Sequence, residues 1–187
     1  TVPVIGNPSC IAIHPSNSYA CVVTQSTSGL SILNLATNTI TDSYSLLNGP
    51  IDMVFNADGS KAYVSQFTGN TVTVLQTSDY SVLATVPVGI NPFGMALTPA
   101  GDRVYVTNSS GGSVSVIDTA TNTVIGTILV GAAPSSAAAN DSGDIVYVVC
   151  QNDNNVRMIE TETNTVINSI NGIGTRPRDV ALFSEPR

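Results

Sequence analysis

Short apolar runs, rich in β-branched and aromatic residues, alternate along the whole chain with clusters of Gly, Asn, Asp, Pro and Thr. Phe93–Leu97, Val104–Thr107, Ser113–Ile117 and Val124–Val130 are four such runs. Between them stand Pro99–Asp102, Asn108–Gly112 and Asp118–Asn122, all residues that favour tight turns. Runs of this length and composition, separated by turns this short, predict four antiparallel strands in one meander. No helix is predicted: the only alanine-rich stretch, Ala132–Asn140, carries Pro134 and falls in a strand slot.

The same unit is written four times. Pro8, Pro50, Pro92 and Pro134 stand 42 residues apart, and Pro177 follows after 43. Each is followed by an apolar run: Cys10–Ile13, Met53–Phe55, Met95–Leu97, Ala137–Ala139 and Val180–Leu182. Thirteen residues after the first four prolines come Cys21, Tyr63, Tyr105 and Tyr147. The turn Thr37-Asn38-Thr39 returns at Thr121-Asn122-Thr123 and Thr163-Asn164-Thr165, with Asp79-Tyr80-Ser81 in the second copy. A four-stranded unit of about 40–45 residues is the size of a β-propeller blade. One such sheet cannot cover both its faces, so neighbouring units must pack against each other. The expectation is a single all-β propeller domain over 1–187, with blades at about 8–49, 50–91, 92–133 and 134–176. Residues 1–7 read as a spare outermost strand, because TVPVIGN matches Thr85–Asn91, and 177–187 as a spare innermost strand centred on Arg178–Phe183.

Val104-Tyr105-Val106-Thr107-Asn108, followed by Val114-Ser-Val-Ile-Asp118-Thr-Ala-Thr-Asn-Thr-Val124, resembles the YVTN repeat of bacterial and archaeal surface-layer-like β-propellers. The third copy is nearly a consensus; the others depart to Tyr63-Val-Ser-Gln66, Tyr147-Val-Val-Cys150 and Cys21-Val-Val-Thr24. The resemblance covers essentially the whole chain and implies the fold. It implies less about activity, since such propellers serve as scaffolds, surface proteins and a few enzymes. Three arrangements stay open: a four-bladed ring with the ends laid against it, part of a longer propeller, or two copies completing one ring as a homo-oligomer.

Charge narrows the partners. The chain has 6 basic and 13 acidic residues, a formal charge of −7, and the basic residues are scattered. A surface that tracks phosphates needs clustered positive charge, so nucleic acid and anionic membrane surfaces are not expected partners. No apolar run approaches the length of a membrane-spanning helix. Only 10% of residues are charged, and Ser, Thr and Asn supply much of the polar surface. With the family resemblance, this suggests a secreted, periplasmic or cell-surface setting. Three cysteines lack any C-x-x-C spacing and read as small buried hydrophobes. Cys10 is expected opposite Thr24, away from Cys21, while a Cys10–Cys150 link is conceivable if the first and fourth blades meet.

Candidate chemistry lies in the loops. Those joining outermost to next innermost strand, and second to third strand, should share one face. There the variable positions Asp52, Phe93, Ser136, Arg178 and Asp179, with Gln66, Phe67, Asn108 and Gln151, form the expected ligand-binding set. Asp52 and Arg178 could pair at the mouth, although Asp52 could equally cap its own turn. His14, the only histidine, fills a slot held elsewhere by Asn56, Thr98 and Asn140, and should cap a turn on the opposite face. No Ser-His-Asp arrangement follows. The loop Gln151–Asn155 holds one carboxylate, Asp153, too few for a calcium cage. No catalytic residue, metal or cofactor is expected. The function expected is a non-catalytic binding or scaffold module for a protein, glycan or small ligand. An alternative is a lyase, isomerase or cyclase with an axial pocket.

Overall fold

In the computed structural model the residues described are 2–4, 6–27, 29–46 and 48–182. They form two compact units, Thr1–Pro87 and Val88–Arg187. The first holds β1 (Pro8–Ile13), β2 (Tyr19–Thr24), β3 (Gly29–Asn34) and β4 (Thr39–Ser45) in one sheet. Its second sheet holds β5 (Pro50–Phe55), β6 (Lys61–Gln66), β7 (Thr71–Gln76) and β8 (Val82–Pro87). The second unit repeats this with β9 (Pro92–Leu97), β10 (Arg103–Asn108), β11 (Ser113–Asp118) and β12 (Thr123–Leu129). It ends with β13 (Pro134–Ala139), β14 (Ile145–Cys150), β15 (Asn155–Glu160) and β16 (Thr165–Asn171). All four sheets are antiparallel meanders in chain order, as the repeat predicts.

Turn chemistry sets the registers. Gly59, Gly101 and Gly143 take φ of 75°, 73° and 76° in the turn after the first strand, a conformation glycine reaches without a Cβ penalty. In the turn before the fourth strand, Asn38, Asn122 and Asn164 take φ near 54°, the left-handed region that asparagine tolerates best after glycine. Asn122 N donates to Asp118 O at 2.8 Å, and Asp118 Oδ1 accepts from Thr121 N at 2.8 Å. That backbone hydrogen bond is the first cause of the lowered Asp118 pKa.

Two bulges recur in every sheet. One interrupts pairing just after the proline that opens the first strand. In the first sheet it sets Cys10 opposite Val23, with Pro8 opposite Thr24. The expected Cys10–Thr24 pairing is therefore corrected by the residue that the bulge inserts. The other bulge leaves Thr41, Leu83, Ile125 and Ile167 unpaired on the outermost strands. It explains why Leu83, Ile125 and Ile167 are exposed although apolar. It also twists a free edge that would otherwise invite strand addition.

Within each unit the sheets pack face against face. Cys21, Val23, Leu30 and Ile32 of the first sheet meet Met53, Phe55, Ala62, Val64 and Leu75 of the second. In the second unit Ala96, Tyr105, Val114, Val116 and Ile128 meet Val146, Val148, Cys150 and Ile159. Each fully buried Val or Leu is worth roughly 1.5–3 kcal/mol, against about 0.5–1.5 for one net hydrogen bond. Apolar burial therefore dominates, and polar contacts at the rim set alignment. At that rim Tyr105 Oη donates to Asn164 Oδ1 at 2.8 Å, Arg103 Nη1 donates to Thr161 O, and Arg157 Nε donates to Val130 O at 2.8 Å. In the first unit Cys21 Sγ and Tyr80 Oη lie 3.1 Å apart in the slot that Tyr105 and Asn164 fill.

The expected spare strands are not formed among the described residues. Residues 2–4, 6–7 and 177–182 carry no strand. A ladder needs a neighbour, and 177–182 make side-chain contacts to β13 instead: Ser135 Oγ donates to Arg178 O at 3.1 Å and Ser136 Oγ to Asp179 Oδ1 at 2.6 Å. Phe183 and the residues after it lie outside the described residues.

The innermost strands approach most closely at Gly94. A Cβ there would lie 2.4 Å from Ser135 O and 3.0 Å from Ser136 Cα, both backbone atoms that cannot swing away. Gly94→Ala should lower stability by about 1–3 kcal/mol through overpacking, read as a drop in the urea midpoint at constant m-value. An unchanged midpoint would mean that the two innermost strands part at no cost.

Candidate functional site

The loops expected to share a face do so within the second unit. Ser109 N donates to Asn91 O and Gln151 N to Ala133 O, at 2.9 and 3.0 Å. Val130 N donates to Gly112 O at 3.0 Å. These bonds tie each second-to-third-strand loop to a connection between sheets. A shallow cleft of ≈ 720 Å³ opens there, lined by Ser109, Gly112, Leu129, Gly131, Ala132 and Asn152 among others. Leu129, at the end of β12, is 80% exposed at this cleft.

The frame under the cleft is polar and clamped. Asp153 Oδ2 accepts from Ala132 N at 2.9 Å and lies 3.7 Å from Arg157 Nη2. Arg157 also reaches Ser169 Oγ. Gly131 has φ 123°, which favours glycine, and a Cβ there would lie 2.0 Å from Asp153 Oδ2 and push that carboxylate aside. The Asp153 carboxylate is thus a loop latch. No group of three or more His, Cys, Asp or Glu able to hold a metal occurs among the described residues.

The nine expected site residues divide. Phe93, Arg178 and Asp179 are exposed, and Ser136 and Gln151 are half-buried. Ser136 and Asp179 are brought together by their hydrogen bond. Asn108 is fully buried, and its Nδ2 donates to Ser113 Oγ and Ser115 Oγ, both at 3.0 Å. Its amide also fills the space where Gly89 would carry a Cβ. It braces the Gly89 loop from beneath and does not face solvent. Gln66 is 1% exposed, with Nε2 donating to Thr73 Oγ1 at 3.2 Å. Phe67 is half-buried, and its N–H donates to Gly49 O at 2.9 Å. Asp52 Oδ1 accepts from its neighbour Met53 N at 2.8 Å, a local cap of the kind weighed above. Asp52 belongs to the first unit and Arg178 to the second.

His14 caps its turn. Nδ1 accepts from Ser16 N at 3.2 Å and lies 2.7 Å from Ser16 Oγ, while Nε2 lies 3.0 Å from Gly59 O. The ring stacks on Tyr19 at 4.4 Å and meets Phe55 edge-on. The turn it caps lies at the opposite end of the sheet from the loop between β2 and β3. Two residues missed in the sequence reading matter here: Arg157, which is bound to Val130 O and Ser169, and Leu129. An arginine inside a strand run was the one available signal for the first; nothing marked the second.

The three cysteines are free, Cys21 and Cys150 buried and Cys10 half-buried. Burial pushes the Cys21 and Cys150 thiols from 9.0 up to about 11, and raises Cys10 further.

An all-β chain of repeated four-stranded antiparallel meanders, packed face to face and joined by short loops, is built as a β-propeller. The family model "Lactonase, 7-bladed beta-propeller" matches residues 48–168, and the chain belongs to that family. Hydrazine synthase of Kuenenia stuttgartiensis is similar in structure, with a TM-score of 0.84 at 19% identity, over 91% of this chain and 50% of that one. A candidate 6-phosphogluconolactonase from Bacteroides fragilis NCTC 9343 gives 0.80 at 22% identity, over 92% and 56%. A functionally unknown protein of Desulfotomaculum acetoxidans DSM 771 gives 0.77 at 18%, over 87% and 55%. At these identities the likeness shows the fold, and the chain spans about half the length of the structures it matches. No curated protein matches the sequence.

Raised thiol pKa values tie stability to pH. Because the folded values lie above the ordinary 9.0, the contribution is complete below pH 9 and lost as pH climbs towards about 11, where the unfolded chain already holds thiolates. Urea midpoints should fall between pH 9 and 11, and less steeply in a Cys21→Ala/Cys150→Ala variant. At pH 8 in native buffer the buried thiols should resist alkylation that goes to completion in denaturant. Rapid native labelling of Cys21 or Cys150 would contradict both.

Proposed function

We propose that the chain is a non-catalytic binding module of an extracytoplasmic prokaryotic protein, presenting its loop face to a protein, glycan or small ligand. The observation that carries this reading is the exposed set Leu129, Phe93 and Arg178 over loops clamped by Asp153, Arg157 and backbone bonds. A rigid frame with solvent-facing apolar and cationic groups binds at a reduced ordering cost. Groups that could move protons are employed structurally: His14 and Asp153 hold turns and loops, and Asp52 caps its own strand. The surface-layer side of the YVTN resemblance fits this reading, as does the low charge.

The lactonase family match supports a second reading, an enzyme opening sugar lactones. In it Arg178 would hold an anionic group and Asp179 would orient water.

Two measurements separate the readings. Glycan and peptide arrays probed with Leu129→Ser/Phe93→Ala should show capture reduced about tenfold or more, with the melting temperature unchanged. Incubation with δ-gluconolactone and its 6-phosphate, followed by acid release at pH 7, should show the spontaneous rate only. Turnover that disappears in Arg178→Ala and Asp179→Asn would overturn the binding-module reading in favour of the enzyme.

A further inference from the structure

Thr98 stands two repeats after His14, and the two residues open the same turn. Asn17 N donates to His14 O and Gly101 N to Thr98 O, both at 2.8 Å. In the first unit rings fill the seam between sheets at this turn. Ser16 N–H can only donate, so His14 Nδ1, 3.2 Å away, carries no proton. Nε2 therefore carries it and donates to Gly59 O at 3.0 Å. The imidazole lies on Tyr19, with centroids 4.4 Å apart and planes 18° from parallel, and Phe55 meets it edge-on at 5.0 Å. Gly59 O also accepts from Thr77 Oγ1 at 2.5 Å, so both of its lone pairs are used.

The second unit keeps this frame without the rings. Thr98, Arg103, Ala139, Gly143 and Thr161 hold the slots of His14, Tyr19, Phe55, Gly59 and Thr77. Thr161 Oγ1 again donates to the glycine carbonyl, Gly143 O, at 2.7 Å. The donor that His14 supplies has no counterpart. Thr98 Oγ1 donates instead to Asp102 Oδ1 at 2.6 Å. A Cβ on Gly59 would lie 2.3 Å from His14 Nε2, whereas one on Gly143 meets Pro99 Cδ at 3.2 Å and has no atom of Thr98 within 4 Å. Threonine for histidine and alanine for phenylalanine leave a cavity of ≈ 150 Å³, lined by Thr98, Asp102, Arg103, Gly143, Thr161 and Glu162 among others. Thr98 and Thr161 are buried, and Arg103 Nη1 is held on Thr161 O. Where Tyr19 offers His14 a ring face, Arg103 offers a planar guanidinium, a surface on which aromatic rings stack. Two carboxylates against one guanidinium disfavour an anionic occupant.

We propose that this cavity is a binding site for an imidazole ring, seated as the His14 ring is seated in the first unit. One ring N–H donates to Gly143 O, and the ring face lies on the Arg103 guanidinium. The site is at the turn joining β9 to β10, so it is separate from the loop-face cleft at Gly131. A free imidazole and the histidine side chain of a peptide share this chemistry.

Nuclear magnetic resonance titration of the full chain tests this, following the Asp144 amide, which shares a peptide unit with Gly143 O, and the Arg103 Nε–H. Imidazole should give saturable shifts at both, with a dissociation constant of about 1–10 mM, the range open to so small a ligand. The 1,3-dimethylimidazolium ion keeps ring and charge but has no N–H, and should bind about tenfold or more weakly. Thr98→His/Ala139→Phe rebuilds the first unit's rings and should abolish the imidazole shifts. Shifts that do not saturate, that dimethylimidazolium reproduces at equal concentration, or that survive in a folded double variant overturn the proposal. If the double variant does not fold, the two ligands compared on the unaltered protein decide. Acetyl-Gly-His-Gly-amide separates the sources: binding as tight as that of imidazole assigns the site to a histidine side chain, and exclusion of the peptide assigns it to the free ring.

Discussion

The face-to-face burial of one four-stranded sheet on the next is the constraint from which the other features follow. A sheet of this size has two apolar faces and too few residues to cover either. Val64 and Leu75, or Val146 and Val148, are core residues only because a neighbouring sheet lies over them. That requirement explains why middle strands such as β6, β10 and β14 read as near-continuous apolar runs, while the outermost strands alternate or trail off. It also explains the small slot at Gly94. Sheets that splay outwards from their innermost strands must approach most closely there, and a single Cβ would force them apart.

Apolar burial is not directional, so alignment comes from the polar rim. The tyrosine slot reaches a turn residue of the next sheet, realised as Tyr105 with Asn164 and, in eroded form, as Cys21 with Tyr80. Tyr80 shows how the two demands compete. It stands where the other copies place asparagine and accepts φ 56°, a left-handed conformation costing roughly 1–2 kcal/mol for an ordinary residue. In return its ring packs on Tyr44 at 4.8 Å and its hydroxyl meets the Cys21 thiol. Cys21 and Tyr80 are thus complementary: in this seam the large side chain stands on the opposite side from its place at Tyr105 and Asn164.

Most of the architecture was legible because the repeat states it four times. A proline period, a tyrosine slot and a Thr-Asn-Thr turn fix strand number and order even where one copy has drifted. What escaped was single-residue geometry. The bulge that moves Cys10 opposite Val23 is set by how the proline enters the strand, and composition carries no trace of it. Asn108 and Gln66 sit at loop junctions, where polar side chains normally meet water, so they read as ligand contacts. The structure turns both inward, where Asn108 holds two serine hydroxyls and fills the space over Gly89.

Those inward amides bear on where recognition can occur. Gln66 Oε1, Asn108 Oδ1 and Asn155 Oδ1 are buried acceptors without a partner among the described residues, each at the loop end of a second or third strand. A buried unsatisfied acceptor costs about 1–3 kcal/mol, more than one net hydrogen bond returns. The first sheet avoids that cost with Thr24, whose hydroxyl lies 2.8 Å from Thr27 Oγ1 and donates to Gly29 O. The second and third sheets hold amides in that slot, Gln66 and Asn108, where the fourth holds Cys150, and Asn108 fills the space over Gly89. The loop at Gly89 is therefore braced from beneath by a side chain that does not face solvent. Leu129, Phe93 and Arg178 are exposed and take no part in that bracing, so the binding-module proposal places recognition on them.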